Sequence, residues 1–330
     1  MQAEPTLSAA ALGVPAPHPS GRPSGQLYLP QVYILKIASR CNLDCTYCYM
    51  YNLADQTWKD QPPRMSEAVL REVARKIRVS GAPLATIIFH GGEPMLAGKD
   101  YVRRAVAIFQ EGCGRHGIQV RYGMQSNGTL LDEEWIDLLH ELGIGVGISI
   151  DGPPEVHDRF RVYRKGRKGG KERRGSHAEV ARGLRLLMAS EKGRKVFGGA
   201  LCVVDVETDP LATWRHLREL GVDRLSFLPM DGCYKYPPPG KRPPFDDTPL
   251  ADWLIPIFDE WFDHSEEGVT ITLFEQIILY MPAGRPFFAV EPLTNANDGF
   301  NLFDKGVRGS GVFVLEPGEE KAATFVLRVV

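Results

Sequence analysis

The chain has 330 residues, of which 43% are hydrophobic and 24% are charged, a composition typical of a folded globular protein and unlike that of a disordered one. Its formal net charge of -2 gives no indication of a nucleic-acid partner, because nucleic-acid-binding domains are usually clearly basic. No apolar run approaches the roughly 20 residues that cross a bilayer, and the N-terminus lacks the segments of a signal peptide, so we expect a cytoplasmic protein with no membrane partner.

Residues 1–28 are rich in Ala, Pro, Ser and Gly, which predicts a flexible tail. Over 29–235, apolar runs typical of strands alternate with amphipathic runs typical of helices. The expected strands are 32–38, 86–91, 119–126, 145–150, 196–204 and 223–229. The expected helices lie near 66–80, 98–115, 132–142, 176–190 and 208–220, with another near 248–265.

This alternation predicts an α/β fold with a parallel sheet, either an open doubly wound sheet or an incomplete barrel. Ligands then bind at the carboxyl ends of the strands. Residues 236–289 are expected to form a helical extension. Residues 290–330 carry two apolar runs around a polar turn, which predicts a short β-rich tail.

Three cysteines follow the first expected strand in the segment "CNLDCTYC": Cys41, Cys45 and Cys48. In a cytoplasmic protein thiols stay reduced, so clustered cysteines indicate a metal site or a catalytic site rather than disulfides. Three thiolates can bind three irons of a 4Fe-4S cluster and leave the fourth iron open for chemistry. A zinc site with one missing ligand, or a coincidence of spacing, is the alternative.

Small and polar residues end the next three expected strands, and another polar motif lies shortly after them. The motifs are "FHGGEP" (89–94), "QSNGT" (125–129), "SIDGP" (149–153) and "HDRFR" (157–161). Taken singly, each fits an ordinary strand-to-helix turn. Together with the cysteines they resemble the radical S-adenosylmethionine (SAM) superfamily, whose signature is CxxxCxxC after the first strand and GGEP after the second. The resemblance covers about 31–230 and implies a partial (β/α)6 TIM-like barrel of the radical SAM type with a short C-terminal extension.

Further segments are similar to the FxsB-type enzymes of the peptide-modifying branch that often carries a SPASM domain, and they extend the match to about residue 285. These segments are "YNLADQTW" (51–58), "FHGGEPMLAG" (89–98), "HDRFRV" (157–162), "PPPGKRPPFDDTPLADWLI" (237–255) and "LFEQII" (273–278). The resemblance implies modification of a ribosomal precursor peptide, with an aromatic ring joined to a nearby Cβ as a cyclophane, and a flavodoxin- or ferredoxin-type reductant. Peptide epimerisation, thioether formation and a non-enzymatic metal-binding role are the alternatives.

The chain departs from SPASM proteins in its cysteines, because none follows Cys233. Cys113 and Cys202 are scattered, and Cys202 lies in an apolar strand where a small buried thiol is the simpler interpretation. We therefore expect one cluster and no cysteine-rich auxiliary domain. The basic run at 163–175 is interpreted as a solvated loop, or as a surface that steers an acidic leader peptide.

The resemblance implies that the three cysteines hold one 4Fe-4S cluster and that SAM binds its open iron. Glu93 then accepts hydrogen bonds from the methionine ammonium group, while Gly91 and Gly92 let the backbone approach closely. Arg161, helped by Ser149, is suited to hold the methionine carboxylate.

Two alternatives stand against the role of Arg161. The first is a surface ion pair with Asp158 or Glu155, and the second is that Arg159 holds the carboxylate instead. The remaining expected SAM contacts are Ser126, Asn127, Asp151 and Tyr47, of which the tyrosine packs beside the adenine or is simply buried. The candidates for the base that removes a ring proton are Asp231 and Glu275.

Overall fold

A computed structural model describes residues 29–52, 55–164, 174–231, 248–264 and 268–278. They form one sheet of seven strands in the order β1 to β7, and every neighbouring pair is parallel. The strands are Val32–Ala38 (β1), Leu84–Gly91 (β2), Gln119–Ser126 (β3), Ile144–Ser149 (β4), Phe197–Val204 (β5), Arg224–Pro229 (β6) and Thr270–Ile271 (β7). Among the described residues β1 and β7 do not pair with each other, so the expected partial barrel is confirmed.

Nine α-helices accompany the strands in the described part of the chain. They are Glu67–Ser80 (α1), Lys99–Gly112 (α2), Glu133–Leu142 (α3), Pro154–Phe160 (α4), His177–Ala189 (α5), Glu191–Val196 (α6), Pro210–Glu219 (α7), Pro249–His264 (α8) and Thr272–Ile278 (α9). The caps explain several starts: Ser66, Asp132 and Asp209 accept hydrogen bonds from the first turns of α1, α3 and α7. No described helix is long and apolar enough to cross a membrane.

The core lies between the outer face of the sheet and the helices. Its largest fully buried side chains include Phe89 of β2, Phe109 of α2 and Phe197 of β5. The other face of the sheet is different, because residues such as Gly123 of β3 and Gly147 of β4 line a cavity there. This face of the sheet is therefore not fully packed.

The segment at 236–289, expected to be a helical extension, also contributes a strand. Residues 270–271 form β7, which pairs in parallel with Arg224 and Leu225 of β6 and so belongs to the sheet. Two residues are too few to show an alternating pattern, which is why no strand is expected there from the sequence. The expected tails at 1–28 and 290–330, Cys233 and most of the basic run at 163–175 lie outside the described residues.

Candidate active site

The cysteine loop comes directly after β1 and is held by its own backbone. Cys48 N donates to Cys45 O at 2.9 Å, and Asn52 N donates to Cys48 O at 2.9 Å. A second attachment comes from far along the chain, where Asp44 N donates to Val162 O at 2.7 Å. The segment after α4 therefore supports the cysteine loop.

The three cysteines are free, half-buried and line one cavity of about 420 Å³ at the carboxyl ends of the strands. Most of the other site residues expected from the sequence line it too: Tyr47, Gly91, Gly92, Ser126, Asn127, Ser149, Arg161 and Asp231. The structure thus brings together residues from the ends of β1, β2, β3, β4 and β6.

The thiols stand in surroundings that do not stabilise their negative charge. Burial raises the pKa of Cys41 to about 12, with Glu93 contributing to the increase. Burial also raises the pKa of Cys45 and of Cys48, with Arg161 partly lowering that of Cys45. A cationic group that binds thiolates would compensate these charges, so the donor set fits a 4Fe-4S cluster. No group of at least three His, Cys, Asp or Glu residues in the described ranges is arranged to hold a single metal ion.

The two glycines after β2 are required by the close approach of the cysteine loop. A Cβ on Gly91, whose φ is 126°, would lie 2.2 Å from Ala38 O. A Cβ on Gly92 would lie 2.0 Å from the hydroxyl of Tyr51 and 2.3 Å from Arg40 O. Both contacts are with the chain itself, so the glycines first serve to seat the cysteine loop against the end of β2.

Glu93 is fully buried behind the cavity wall, with 0% of its surface exposed. Its carboxylate accepts hydrogen bonds from Met95 N at 2.9 Å, Ser126 Oγ at 2.9 Å and Asn127 N at 2.8 Å. Burial raises the pKa of Glu93, and these donors lower it in part. The carboxylate therefore ties the end of β2 to the end of β3, while its contact with a ligand ammonium stays a prediction.

Asn127 continues this connection to the first cysteine. Its Nδ2 donates to Cys41 Sγ at 3.6 Å and to Asn42 Oδ1 at 2.9 Å. Asn42 in turn donates to Thr129 Oγ1 at 2.8 Å. Asn42 and Thr129 were not expected from the sequence, although "QSNGT" already contains the threonine.

Tyr47, Asp151 and Arg161 form a hydrogen-bonded group beside the second and third cysteines. Arg161 Nη1 donates to the Tyr47 hydroxyl at 2.6 Å, and that hydroxyl donates to Asp151 Oδ2. The guanidinium also lies 3.8 Å from Asp151 Oδ1 as an ion pair. Burial raises the pKa of Asp151, and Arg161 lowers it in part. Asp151 does not itself line the cavity, so its contact with SAM stays a prediction.

The alternatives for Arg161 can be compared with this geometry. Arg161 is 7% exposed and pairs with Asp151 rather than with Asp158 or Glu155. Its Nε finds no hydrogen-bond partner among the described residues. Arg159 points elsewhere, because its Nη1 binds Asp205 at 2.6 Å. Arg161 is therefore the arginine that the cavity offers to an anionic group.

The two candidate bases lie in different cavities. Asp231 lies after β6, is exposed and lines the cysteine cavity. Glu275 of α9 lines a second cavity of about 680 Å³, formed by residues such as Val120 and Thr270 near the amino ends of the strands. Gln125 and Leu201 line both cavities.

Arg164, Tyr51 and Trp58 form a cluster that contacts the cysteine loop, and none of them was expected as a site residue. The guanidinium of Arg164 lies 4.5 Å from the ring centre of Tyr51 and 5.3 Å from that of Trp58. Its Nε donates to Leu43 O at 3.2 Å, inside the loop. The signal was present, since both aromatic residues belong to the segment "YNLADQTW". Cys113 and Cys202 are buried, as expected for Cys202, and neither lines the cysteine cavity.

The sequence model of the Radical SAM superfamily matches residues 35–209. The chain belongs to the radical SAM superfamily. This match contains the cysteine loop, the GGEP segment and Arg161. The closer resemblance to FxsB-type enzymes stays a prediction.

The radical SAM chain is also similar to curated maturases. It is 30% identical over 261 residues to a cysteine-type anaerobic sulfatase-maturating enzyme of Clostridium perfringens (strain 13 / Type A), covering 76% of this chain and 65% of that protein. The serine-type enzyme of Bacteroides thetaiotaomicron is 29% identical over 265 residues, covering 75% and 61%. The chain thus spans somewhat less than two thirds of these relatives' length.

Solved structures share the fold. Native anSMEcpe with bound AdoMet superposes with a TM-score of 0.64 at 26% identity, covering 77% of this chain and 67% of that one. The same protein with AdoMet and a Cp18Cys peptide gives a TM-score of 0.61 at 24% identity, covering 77% and 66%. The partial-barrel assignment rests on these superpositions together with the sheet order.

Proposed function

We propose that this radical SAM enzyme modifies a ribosomally made precursor peptide by joining an aromatic ring carbon to the Cβ of a nearby residue. One observation carries the proposal: three half-buried thiols, a buried arginine with an unpartnered Nε and an exposed carboxylate line a single cavity in the described part of the chain. The FxsB-type motifs support the product class, and the likeness to sulfatase-maturating enzymes supports a protein or peptide substrate.

In this proposal the cysteines hold one 4Fe-4S cluster, and the methionine end of SAM faces Arg161. The guanidinium binds the carboxylate with its free Nε, while Ser149 and Ser126 on the wall supply further polar contacts. The hydroxyl of Tyr47 accepts a hydrogen bond from the guanidinium and so orients the arginine. When bound, the cluster and SAM supply a 5′-deoxyadenosyl radical that abstracts a hydrogen atom.

The chain's own residues direct the peptide radical after hydrogen abstraction. The cavity wall excludes water from the carbon radical, which adds to a neighbouring ring instead. Restoring aromaticity removes one electron and one proton: the oxidised cluster, when bound, would accept the electron, and we assign the proton to Asp231, whose carboxylate lines the cavity. Glu275 lines the other cavity and not this one, so we assign it no part in this step.

The proposal is tested by anaerobic co-expression with a small precursor peptide encoded beside the enzyme. Tandem mass spectrometry should find a peptide that has lost two hydrogens and does not fragment between the two joined residues. The matched control replaces Cys41, Cys45 and Cys48 by Ala and should return unmodified peptide. An unchanged mass in the wild-type sample, with the peptide present, would contradict the proposal.

A second candidate is modification of a single residue in a protein substrate, which the likeness to cysteine-type and serine-type sulfatase-maturating enzymes favours. The same spectra separate the two. A modification confined to one residue leaves fragmentation complete on both sides of it, whereas a cross-link suppresses the fragments between two residues.

A further inference from the structure

His157 of α4 is fully buried, with 0% of its surface exposed, and does not line the cavity. Both of its ring nitrogens are nevertheless connected to the site. Asp151 N donates to His157 Nδ1 at 3.2 Å, and His157 Nε2 lies 3.0 Å from Ser176 Oγ. Ser176 Oγ donates to Arg161 O at 2.7 Å. The imidazole and the serine thus connect the backbones of two residues of the site.

The protons in this chain of hydrogen bonds can be placed without ambiguity. A backbone N–H only donates, so His157 Nδ1 must be the acceptor and carry no proton. The neutral ring then has its proton on Nε2 and donates it to Ser176 Oγ, whose own proton goes to Arg161 O. Burial lowers the pKa of His157 to about 2, with Arg161, His177 and His216 contributing, which keeps the ring neutral.

Asp151 and Arg161, whose backbones this connection joins, also share a side-chain partner, Tyr47. From the backbone positions that His157 and Ser176 fix, the side chains of Asp151 and Arg161 both reach the hydroxyl of Tyr47. Tyr47 lies between the second and third cysteines. One buried imidazole therefore sets the distance between the end of β4 and the residue directly after α4.

We infer that His157, as its Nε2–H tautomer, is a positioning residue that holds Asp151 and Arg161 so that the guanidinium faces SAM. The inference rests on the proposed binding of SAM at Arg161. His157 touches neither cofactor nor substrate, and its effect reaches them through backbone hydrogen bonds. If the His157 side chain only filled space, an apolar side chain of similar size would support SAM binding equally well. A positioning role instead requires the ring nitrogens, so the two roles predict different affinities for SAM.

The first experiment measures the dissociation constant of SAM for the cluster-loaded enzyme. His157→Leu keeps an apolar side chain and removes both nitrogens, and we expect roughly tenfold weaker binding. His157→Asn keeps an acceptor close to the Nδ1 position and should recover most of the affinity. Val180→Ala in α5, where the valine is 0% exposed, is the control for general destabilisation and should bind SAM like wild type.

Wild-type affinity in His157→Leu, or an equal loss in Val180→Ala, would overturn the positioning role. If the wild-type enzyme itself does not bind SAM, the proposed function fails instead. A second experiment tests the hydrogen bonds independently of SAM. The ¹⁵N chemical shifts of the histidine rings are measured by NMR in the oxidised, cluster-loaded chain, and the His157 signals are assigned by substitution. We expect a protonated Nε2 and an unprotonated Nδ1, and a protonated Nδ1 would overturn the inference.

Discussion

Tyr47 and Arg161 are 114 positions apart in the chain and are joined by a hydrogen bond of 2.6 Å from Nη1 to the phenol oxygen. The tyrosine lies in the cysteine loop and the arginine lies directly after α4. The loop whose cysteines are proposed to hold the cluster and the arginine proposed to hold SAM are therefore parts of one packed unit. Substitution of either residue should therefore alter the position of the other side chain.

Replacing Arg161 by Ala should weaken SAM binding to the cluster-loaded enzyme by roughly ten- to a hundredfold, because a charge-assisted hydrogen bond is lost. Arg159→Ala is the matched control, since its guanidinium binds Asp205 outside the cavity. Isothermal titration under anaerobic conditions measures both. Equal affinities in wild type and Arg161→Ala would remove this arginine from the SAM site.

Anaerobically reconstituted enzyme should contain one 4Fe-4S cluster per chain, because only one group of cysteines among the described residues shares a cavity. Replacing these three cysteines by Ala should abolish the cluster. Cys113→Ala should not, since that thiol is buried and bound to Ala74 O. Iron and sulfide analysis checks this, and iron sufficient for two clusters would show that further ligands exist.

Glu93→Gln should destabilise the fold by about 2 kcal/mol, because an amide cannot accept all the hydrogen bonds that the buried carboxylate accepts. Its NH2 group would also face the N–H of Asn127 or Met95. Chemical denaturation measures the free energy of unfolding, with the exposed Glu155→Gln as control. Unfolding at wild-type denaturant concentrations would show that this carboxylate does not tie β2 to β3.

His157 should make the fold sensitive to moderate acid. Its pKa is about 2 in the folded chain and about 6.5 when unfolded, so acid favours the unfolded chain. The contribution is complete above about pH 6.5 and is lost as the pH falls toward 2. Between about pH 7 and 5.5, wild type should lose about 1 kcal/mol more stability than His157→Asn.

Arg161, His177 and His216 lie around the ring and are present in both wild type and His157→Asn. Their contributions to the pH dependence of stability therefore largely cancel in this comparison. The free energy of unfolding is measured for both proteins at the two pH values. Parallel pH profiles would mean that His157 is protonated in the folded chain or free to leave its site.

The fold was largely predictable because long elements carry clear periodicity. The expected strand at 119–126 coincides with β3, and the expected helix at 132–142 is α3 with its Asp132 cap. The elements missed, such as α4 with 7 residues and α6 with 6, are too short to show an apolar face. For β7 only the pairing with β6 makes a strand of two residues.

The position of the site was predictable for a related reason, since parallel strands end at one edge and bring their motifs together. Side-chain direction was not predictable. Glu93 turns into the wall toward Ser126, and Glu275 reaches the other cavity because α9 packs beside the amino ends of the strands. The connection through His157 depends on one tautomer, which no spacing in the sequence encodes.

Cross-linking at Cβ is tested most sharply by tracing the abstracted hydrogen. A precursor peptide deuterated at Cβ of the residue to be joined is incubated anaerobically with reduced enzyme and SAM. We expect 5′-deoxyadenosine that carries one deuterium, together with a peptide cross-linked at that carbon. Unlabelled nucleoside and a peptide of unchanged mass in ordinary water, together with one deuterium at an α-carbon when the reaction is repeated in deuterated water, would contradict cyclophane formation and indicate epimerisation.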